Sequence, residues 1–472
     1  MGGATRTDMM TSSSLCVLAA SCLLLTLTYT CADTSVADVR YGVLLDAGSS
    51  STKLKVYSWV LPSGKSGLPK IDLVNGKRST FPPGLDDFKR NVTAIHGYME
   101  QILSSAVSRV PPHLIADTPI FLMATAGLRY MTAEDANDLL QTTRSVLANS
   151  TLNPFLYDPS RISLLSGEEE GVFSWIAANY ISGFFSAHAP NKSVGVLEMG
   201  GGSTQITFLP NGPLFSEEYQ VTVAGKRYQL YVQSYLQYGS NGMKIKVADH
   251  LVAKSPGQKE IKNPCMLKGD HAVINLDGRR INQTGTSGPL DCLEILREIL
   301  KPYTGNKCQP KPCAIGSVYQ PSVEDIQFLA TQVFQHAPND LKAVGDNRLL
   351  NISHLEEMAI GHCNKSMQDI SADKSRYASE NCLMGLYIPT LLTTSYGFRR
   401  NTSNIRFAPK SSNIDWALGA MLVELSTTFS QDKSQYMVTC PPPSGHSKSD
   451  NSSPRHTAGC LVLFFSVLVL LV

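Results

Sequence analysis

The chain has 472 residues, 43% of them hydrophobic and 17% charged, with a formal net charge of +2. That length allows two domains of ordinary size, each with its own core, and the composition is globular rather than disordered or fibrous. The near-balanced charge gives no electrostatic ground for a nucleic-acid or acidic partner.

The first element is the apolar run from Leu15 to Thr28, preceded by Arg6 and followed by Thr30-Cys31-Ala32. This is the pattern of a secretory leader, so residues 1–32 are expected to form a signal peptide cleaved after Ala32, with an uncleaved anchor as the alternative. Next comes YGVLLDAGSSSTKLKVY, from Tyr41 to Tyr57. An apolar strand ends on Asp46, turns through Gly48, Ser49, Ser50, Ser51 and Thr52, and resumes as a second strand. Backbone N–H groups and hydroxyls converging on such a corner suit a phosphate oxygen. Asp46 would repel that phosphate unless a cation lay between them, so the stretch predicts phosphate and a divalent metal together. An ordinary polar hairpin is the alternative at this point.

A Pro/Gly-rich connection from Leu61 to Pro69 leads to Leu85–Ser108, whose apolar spacing predicts a helix. The strand-like TPIFLMA then ends in the small-residue loop around Thr125 and Arg129, and a helix from about Thr132 to Ala148 follows, opened by a Thr-x-x-Asp cap. This strand, loop and helix form the unit of an α/β fold, which binds its ligands beyond the C-terminal strand ends. A further such end carries Glu168-Glu169-Glu170 between Gly167 and Gly171. An acidic first turn commonly serves only the helix dipole, but the flanking glycines favour a catalytic carboxylate. The opening design then repeats: a strand ends on Glu198, turns through Gly200, Gly201, Gly202, Ser203, Thr204 and Gln205, and resumes as Ile206-Thr207-Phe208. One glycine-rich loop is weak evidence; two copies of strand, acid and Gly/Ser/Thr hairpin, about one domain length apart, are strong.

Of eleven cysteines, Cys265, Cys292, Cys308, Cys313, Cys363 and Cys382 cluster in the second half. An even set in an exported chain reads as three disulfides rather than a zinc site. Local pairing joins Cys308 to Cys313 and Cys363 to Cys382 and leaves Cys265 with Cys292, one of 15 possible connectivities; Cys440 is odd. Sequons begin at Asn91, Asn149, Asn191, Asn282, Asn351, Asn364, Asn401 and Asn451, as in a glycosylated ectodomain. Residues 432–459 form a polar spacer and residues 460–472 an apolar tail. That tail is shorter than the about 20 residues that span a bilayer comfortably, so the end reads as a GPI-anchor signal, with a transmembrane helix as the alternative.

The paired hairpins resemble the phosphate loops of the actin, sugar-kinase and heat-shock-chaperone superfamily. Within it, DAGSSST, ATAGLR, GEEEG with its downstream Trp175 and Asn179, GGGSTQI and DWALGAM resemble, in order, the five motifs of the apyrase family, the ecto-nucleoside triphosphate diphosphohydrolases. The resemblance implies an α/β protein with two related RNase H-like (actin-like) lobes and a nucleotide site in the cleft between them. Lobe I would span residues 33–165, with 407–431 returning to it, and lobe II residues 166–406. It implies hydrolysis of nucleoside tri- and diphosphates with Ca²⁺ or Mg²⁺, and it implies roles. Asp46 and Glu198 would hold the hydrated cation, Glu170 would be the general base, and Ser203 and Gln205 would position the water with help from Thr125. Gly48, Ser49, Ser50, Ser51, Thr52, Arg129, Gly200, Gly201, Gly202 and Thr204 would form the phosphate site. CQPKPCAIGSVYQP from Cys308 resembles the family's disulfide loop.

Three features depart from the family. Glu198 stands where most members have Asp, and Ser51 where many cell-surface members have His. The segment from Ser322 to Phe334 lacks the usual base-side aromatics, leaving Phe334 and Tyr387 as candidate stacking partners, with a core role as the commoner meaning. Alternative functions are a lumenal nucleoside diphosphatase and a catalytically weak nucleotide- or glycan-binding relative. Oligomeric state is not legible.

Overall fold

The computed structural model describes residues 39–60, 68–186, 192–215, 219–276, 278–345, 347–373, 375, 377–409 and 414–429. The leader, residues 61–67 of the Pro/Gly-rich connection, Cys440, the sequons at Asn191 and Asn451, the spacer and the tail lie outside these residues. The fold is α/β with two related lobes, each built on a sheet of the same plan.

In the first sheet, β1 (Val39–Ala47), β2 (Thr52–Val60), β3 (Ile71–Leu73), β4 (Ser79–Phe81), β5 (Ile120–Ala124) and β6 (Ile162–Leu164) take the order β3-β2-β1-β5-β6, with β4 also on β2. β1, β5 and β6 are parallel. Further along come β7 (Gly195–Met199), β8 (Ser203–Phe208), β9 (Tyr219–Val223) and β10 (Lys226–Leu236). A small three-stranded sheet follows, β11 (Glu260–Asn263), β12 (His271–Leu276) and β13 (Arg279–Gly285). With β14 (Phe328–Gln332) and β15 (Ile405–Phe407), the second large sheet reads β15-β14-β7-β8-β10-β9. Its parallel trio β7, β14, β15 matches β1, β5, β6, and its hairpin β7-β8 matches β1-β2. The duplication therefore sets the two acid-ended strands, β1 and β7, in equivalent places.

The central strands of the two large sheets are buried on both faces, which is why β1, β5 and β7 read as nearly unbroken apolar runs. Val43, Leu45, Ile120 and Leu122 face helices Ile95–Val107 and Ala133–Leu147, while Leu197, Ile206 and Phe208 join the larger core of the second lobe. A third core holds Leu44, Trp59 and Met123 of the first sheet with Val196 and Val221 of the second. It is filled by two helices, Gly167–Ile181 and Trp416–Phe429. They approach so closely that a side chain at Gly419 would strike the Phe173 backbone. Asn179 fixes the far end of the first: its Nδ2 donates to Trp175 and Val194 carbonyls, and its Oδ1 accepts from the Val194 N–H at 2.9 Å.

The helix expected over Leu85–Ser108 is α-helical only from Ile95 to Val107. Before it, Leu85–Arg90 and Val92–Ala94 form 3₁₀ turns, broken at Asn91, whose Oδ1 accepts from Thr93 Oγ1 at 2.8 Å. Such local side-chain bonds compete with helix. The second expected helix runs Ala133–Leu147, and Thr132 caps it by accepting from the Asp135 N–H. The disulfides are Cys265–Cys292, Cys308–Cys313 and Cys363–Cys382, the local pairing. The six described sequon asparagines are all exposed. No helix among the described residues is long and apolar enough to cross a membrane.

Candidate functional site

Three carboxylates follow one another at the start of the helix Gly167–Ile181, and the structure gives them different work. Ser166 is the N-cap: its side chain accepts from the Glu169 N–H at 3.0 Å, and Glu169 reaches back to the Ser166 N–H at 2.8 Å. Glu169 is thus spent on a capping box. Glu170, one position on, turns into the protein and is buried. The glycines on either side are spatial requirements: a Cβ at Gly167 would meet the Ser234 side chain, and one at Gly171 would lie 2.6 Å from Thr207 Oγ1. They let the helix start press against β8 and β10.

Around Glu170 the motifs converge. Arg129, at the end of the short helix after β5, donates from Nη2 to Glu170 Oε2 at 2.7 Å and to Ser203 Oγ at 3.1 Å. Ser203 and Gln205 are two apart on β8 and so share a face. Gln205 Nε2 lies 2.8 Å from Ser203 Oγ, 3.1 Å from Ser234 Oγ and 3.2 Å from Glu170 Oε2. Gln205 Oε1 is buried without a partner, an acceptor left open beside the carboxylate. Burial lifts the Glu170 carboxyl above its ordinary range; Arg129 opposes this, Asp46 adds to it and Lys53 opposes it again.

The two acids that end β1 and β7 have different surroundings. Asp46 is buried, with its Oδ2 3.3 Å from Lys53 Nζ and 3.5 Å from Lys55 Nζ. Burial alone would raise its carboxyl, but the two ammoniums outweigh that and hold it below the usual carboxylate range. Lys55 is itself buried, 2.6 Å from Asp415 Oδ2, with its ammonium 5.7 Å from the Trp416 ring centroid. It makes these contacts as an ion pair without hydrogen-bond geometry. Glu198 is fully enclosed and accepts from Ser174 Oγ and Gln332 Nε2. Burial first and the nearby Glu170 charge second push its carboxyl up to about 8, which favours the neutral form until a cation is bound.

The loops themselves meet across the cleft. The Tyr130 hydroxyl donates to the Gly202 carbonyl, and a Cβ at Gly201 would stand 2.9 Å from Ser49 Oγ. Ser50 is exposed, Gly48 and Ser49 are partly exposed, and Ser51 is buried. Thr125 ties β5 to β1 through its N–H on the Ala47 carbonyl at 3.1 Å. One hydroxyl expected on phosphate is bonded elsewhere and another is enclosed. Thr204 Oγ1 donates to the Glu198 carbonyl at 2.8 Å, and Thr52 is buried with its N–H on the Tyr98 hydroxyl. Phe334 and Tyr387 both lie in the second lobe's core, and the Tyr387 hydroxyl donates to the Tyr238 carbonyl. Neither is on a base-stacking surface.

Among the described residues no three His, Cys, Asp and Glu side chains gather as a metal cage. Asp46 already has ammonium partners and Glu198 has neutral donors, so the chain alone supplies too few oxygens for Ca²⁺ or Mg²⁺. With phosphate oxygens and water completing the shell, the two carboxylates fit a cation held at second hand.

Residues 33–437 match the GDA1/CD39 (nucleoside phosphatase) family. The chain belongs to that family. It is 29% identical to the ectonucleoside triphosphate diphosphohydrolase 1 of Rattus norvegicus over 421 residues, covering 82% of this chain and 81% of the rat protein. It is 30% identical to the ectonucleoside triphosphate diphosphohydrolase 8 of Bos taurus, with 82% of each covered. Probable apyrase 5 of Arabidopsis thaliana is 27% identical, over 85% of this chain and 86% of the plant protein. The fold matches a crystal structure of nucleoside triphosphate hydrolases from Neospora caninum with a TM-score of 0.64, covering 90% of this chain and 98% of that one at 16% identity. For this member of the GDA1/CD39 family, several residues of the site were not singled out in the sequence: Lys53, Ser174, Ser234, Gln332 and Asp415. The readable signals were the place of Asp415 at the head of DWALGAM and the pair Lys53 and Lys55, charges two apart on a largely apolar strand.

Proposed function

We propose that this nucleoside phosphatase removes terminal phosphates from nucleoside tri- and diphosphates outside the cytoplasm, by direct attack of water and with Ca²⁺ or Mg²⁺. The observation that carries the reading is the shared network of Glu170, Ser203 and Gln205, where the two hairpins meet. Ser203 and Gln205 hold the water, with the open Gln205 Oε1 accepting one of its hydrogens. Glu170 takes the proton as the water oxygen bonds to phosphorus, and the bridging oxygen leaves with the electron pair. Arg129 favours the ionised base by pairing with it. Backbone N–H groups of Ser49 and Ser50 in the first turn and of Gly201 and Gly202 in the second receive the phosphoryl oxygens, while those of Gly48 and Gly200 close the turns themselves. Asp46 and Glu198 would hold the cation through water, and when bound it supplies positive charge at the phosphate chain.

The lobes are proposed to divide at 33–165 with 407–431, and 166–406. Export by the leader, glycosylation at the exposed sequons and attachment through the terminal tail belong to the same proposal; a phosphatidylinositol-specific phospholipase releases the protein from cells if the tail is a GPI signal. The deciding experiment measures phosphate release from a nucleotide panel with Ca²⁺, Mg²⁺ or chelator, for wild type and Glu170→Gln. Wild-type protein that binds nucleotide without turnover would remove the hydrolase reading. Near-normal turnover by Glu170→Gln would remove the base.

A further inference from the structure

The Asp46 carboxylate needs a cation beside it if phosphate is to approach, and the chain already provides two. On β2 the side chains of Lys53 and Lys55 point to one face, toward the end of β1. They are not equivalent. Lys55 is locked, 3% exposed, between Asp46 and Asp415 and over the Trp416 ring. Lys53 keeps 24% of its side chain exposed and, among the described residues, has Asp46, at 3.3 Å, as its one ion-pair partner. Its charge also reaches Glu170. Lys53, Lys55 and Arg129 thus pair with Asp46, Asp415 and Glu170 before any ligand arrives.

We propose that Lys53 is the resident counter-ion of Asp46, and that a divalent cation enters only together with a nucleotide, taking the place of Lys53 on Asp46 while the ammonium moves to phosphate oxygens. This rests on the nucleotide reading above. A bare divalent cation meets an Asp46 already paired with two ammoniums, and too few oxygens. It would have to displace an ammonium from Asp46 with no phosphate oxygens to complete its shell, a poor exchange for a hard ion. A polyphosphate brings both the missing charge and the missing ligands, and it gives the displaced ammonium a new partner. Lys53 is therefore a positioning residue that couples cation and nucleotide binding, and such coupling is reciprocal.

The test uses the full chain and a β,γ-methylene nucleoside triphosphate, which binds without being cleaved. Calorimetry measures Ca²⁺ binding to the nucleotide-free protein, and analogue binding in chelator, for wild type, Lys53→Met and Lys53→Arg, with circular dichroism as the folding control. Wild type is expected to bind Ca²⁺ weakly in the absence of analogue. Lys53→Met should bind Ca²⁺ alone about tenfold or more tightly, and should bind the analogue in chelator about tenfold or more weakly. Lys53→Arg should follow wild type in both. Opposite movement of the two affinities is the signature, because a loop that merely lost its shape would weaken both together. Unchanged or weakened Ca²⁺ binding in folded Lys53→Met overturns the proposal. Failure of wild type to bind the analogue under any condition overturns the nucleotide reading instead, and that arm is read independently.

Discussion

Enclosure raises the Glu198 carboxyl strongly, and replacing it with Gln isolates the effect. The ordinary value for this carboxyl is 4.5, and enclosure moves it to about 8. In the unfolded chain it ionises first, so the folded state holds the extra proton between those values and stability falls as pH rises through that window. At roughly 1.4 kcal/mol per unit, a separation of about 3.5 units sets an upper bound of roughly 5 kcal/mol, fully lost only above pH 8. Coupling to Glu170 shares out part of that sum, so a loss of a few kcal/mol is expected between pH 5 and 8. A Gln at this position can accept from Gln332 Nε2 through its oxygen and donate through its amide to Ser174, whose hydroxyl can turn to accept. Thermal unfolding in chelator, scanned from pH 5 to 8, should show a falling melting temperature for wild type and a flatter profile for Glu198→Gln. Parallel profiles for the two proteins would refute the placement of a protonated carboxyl at the end of β7.

Three further changes test other parts of the site. Arg129→Ala removes the cation paired with Glu170, so the base pKa should rise and the acid limb of the pH–rate profile should move to higher pH; a lower rate with an unmoved limb would contradict the pairing. Lys55→Met leaves Asp415 and part of Asp46 uncompensated in the interior, and breaking a buried pair in this way costs about 3–5 kcal/mol in denaturant unfolding; a change within about 0.5 kcal/mol would mean the cluster is solvated. Gly419→Ala should destabilise the protein and lower turnover together, since its methyl group would part the helix carrying Glu170 from its partner; an unchanged midpoint would show that the helices separate freely.

What could be read from the sequence was whatever repeats or punctuates. Strand, acid and Gly/Ser/Thr turn occur twice, and the two hairpins occupy matching places in matching sheets. The helix carrying the proposed base was visible because Gly167 and Gly171 bracket its acids, yet the pattern did not say that Glu169 is a cap while Glu170 turns inward to Arg129 and Gln205, since that depends on tertiary packing. Asp46 was read as demanding a metal, whereas the strand that follows it carries two ammoniums to its side. Composition hides this, because lysines on a strand usually face water. Thr52 and Thr204 looked like phosphate donors for being hydroxyls in the right loops; in the fold one is buried beside Tyr98 and the other locks its own hairpin. Such directions depend on pairing partners tens of residues away, and no local pattern encodes them.

The tight contact between Phe173 and Gly419 also bears on how the protein is made. The helix that presents Glu170 has most of its surface buried, and one of its walls is the helix Trp416–Phe429, more than two hundred positions later in the chain. Synthesis runs from the N-terminus at a few residues per second, so that wall is absent for most of translation. Until it emerges, the earlier helix has an uncovered apolar side and its acid no fixed seat. This late helix thus acts as a delayed keystone: a nascent or interrupted chain can carry all four earlier motifs and still leave Glu170 without its wall. Hydrolytic competence should therefore arrive near the end of synthesis, when most of the preceding chain has already been translated.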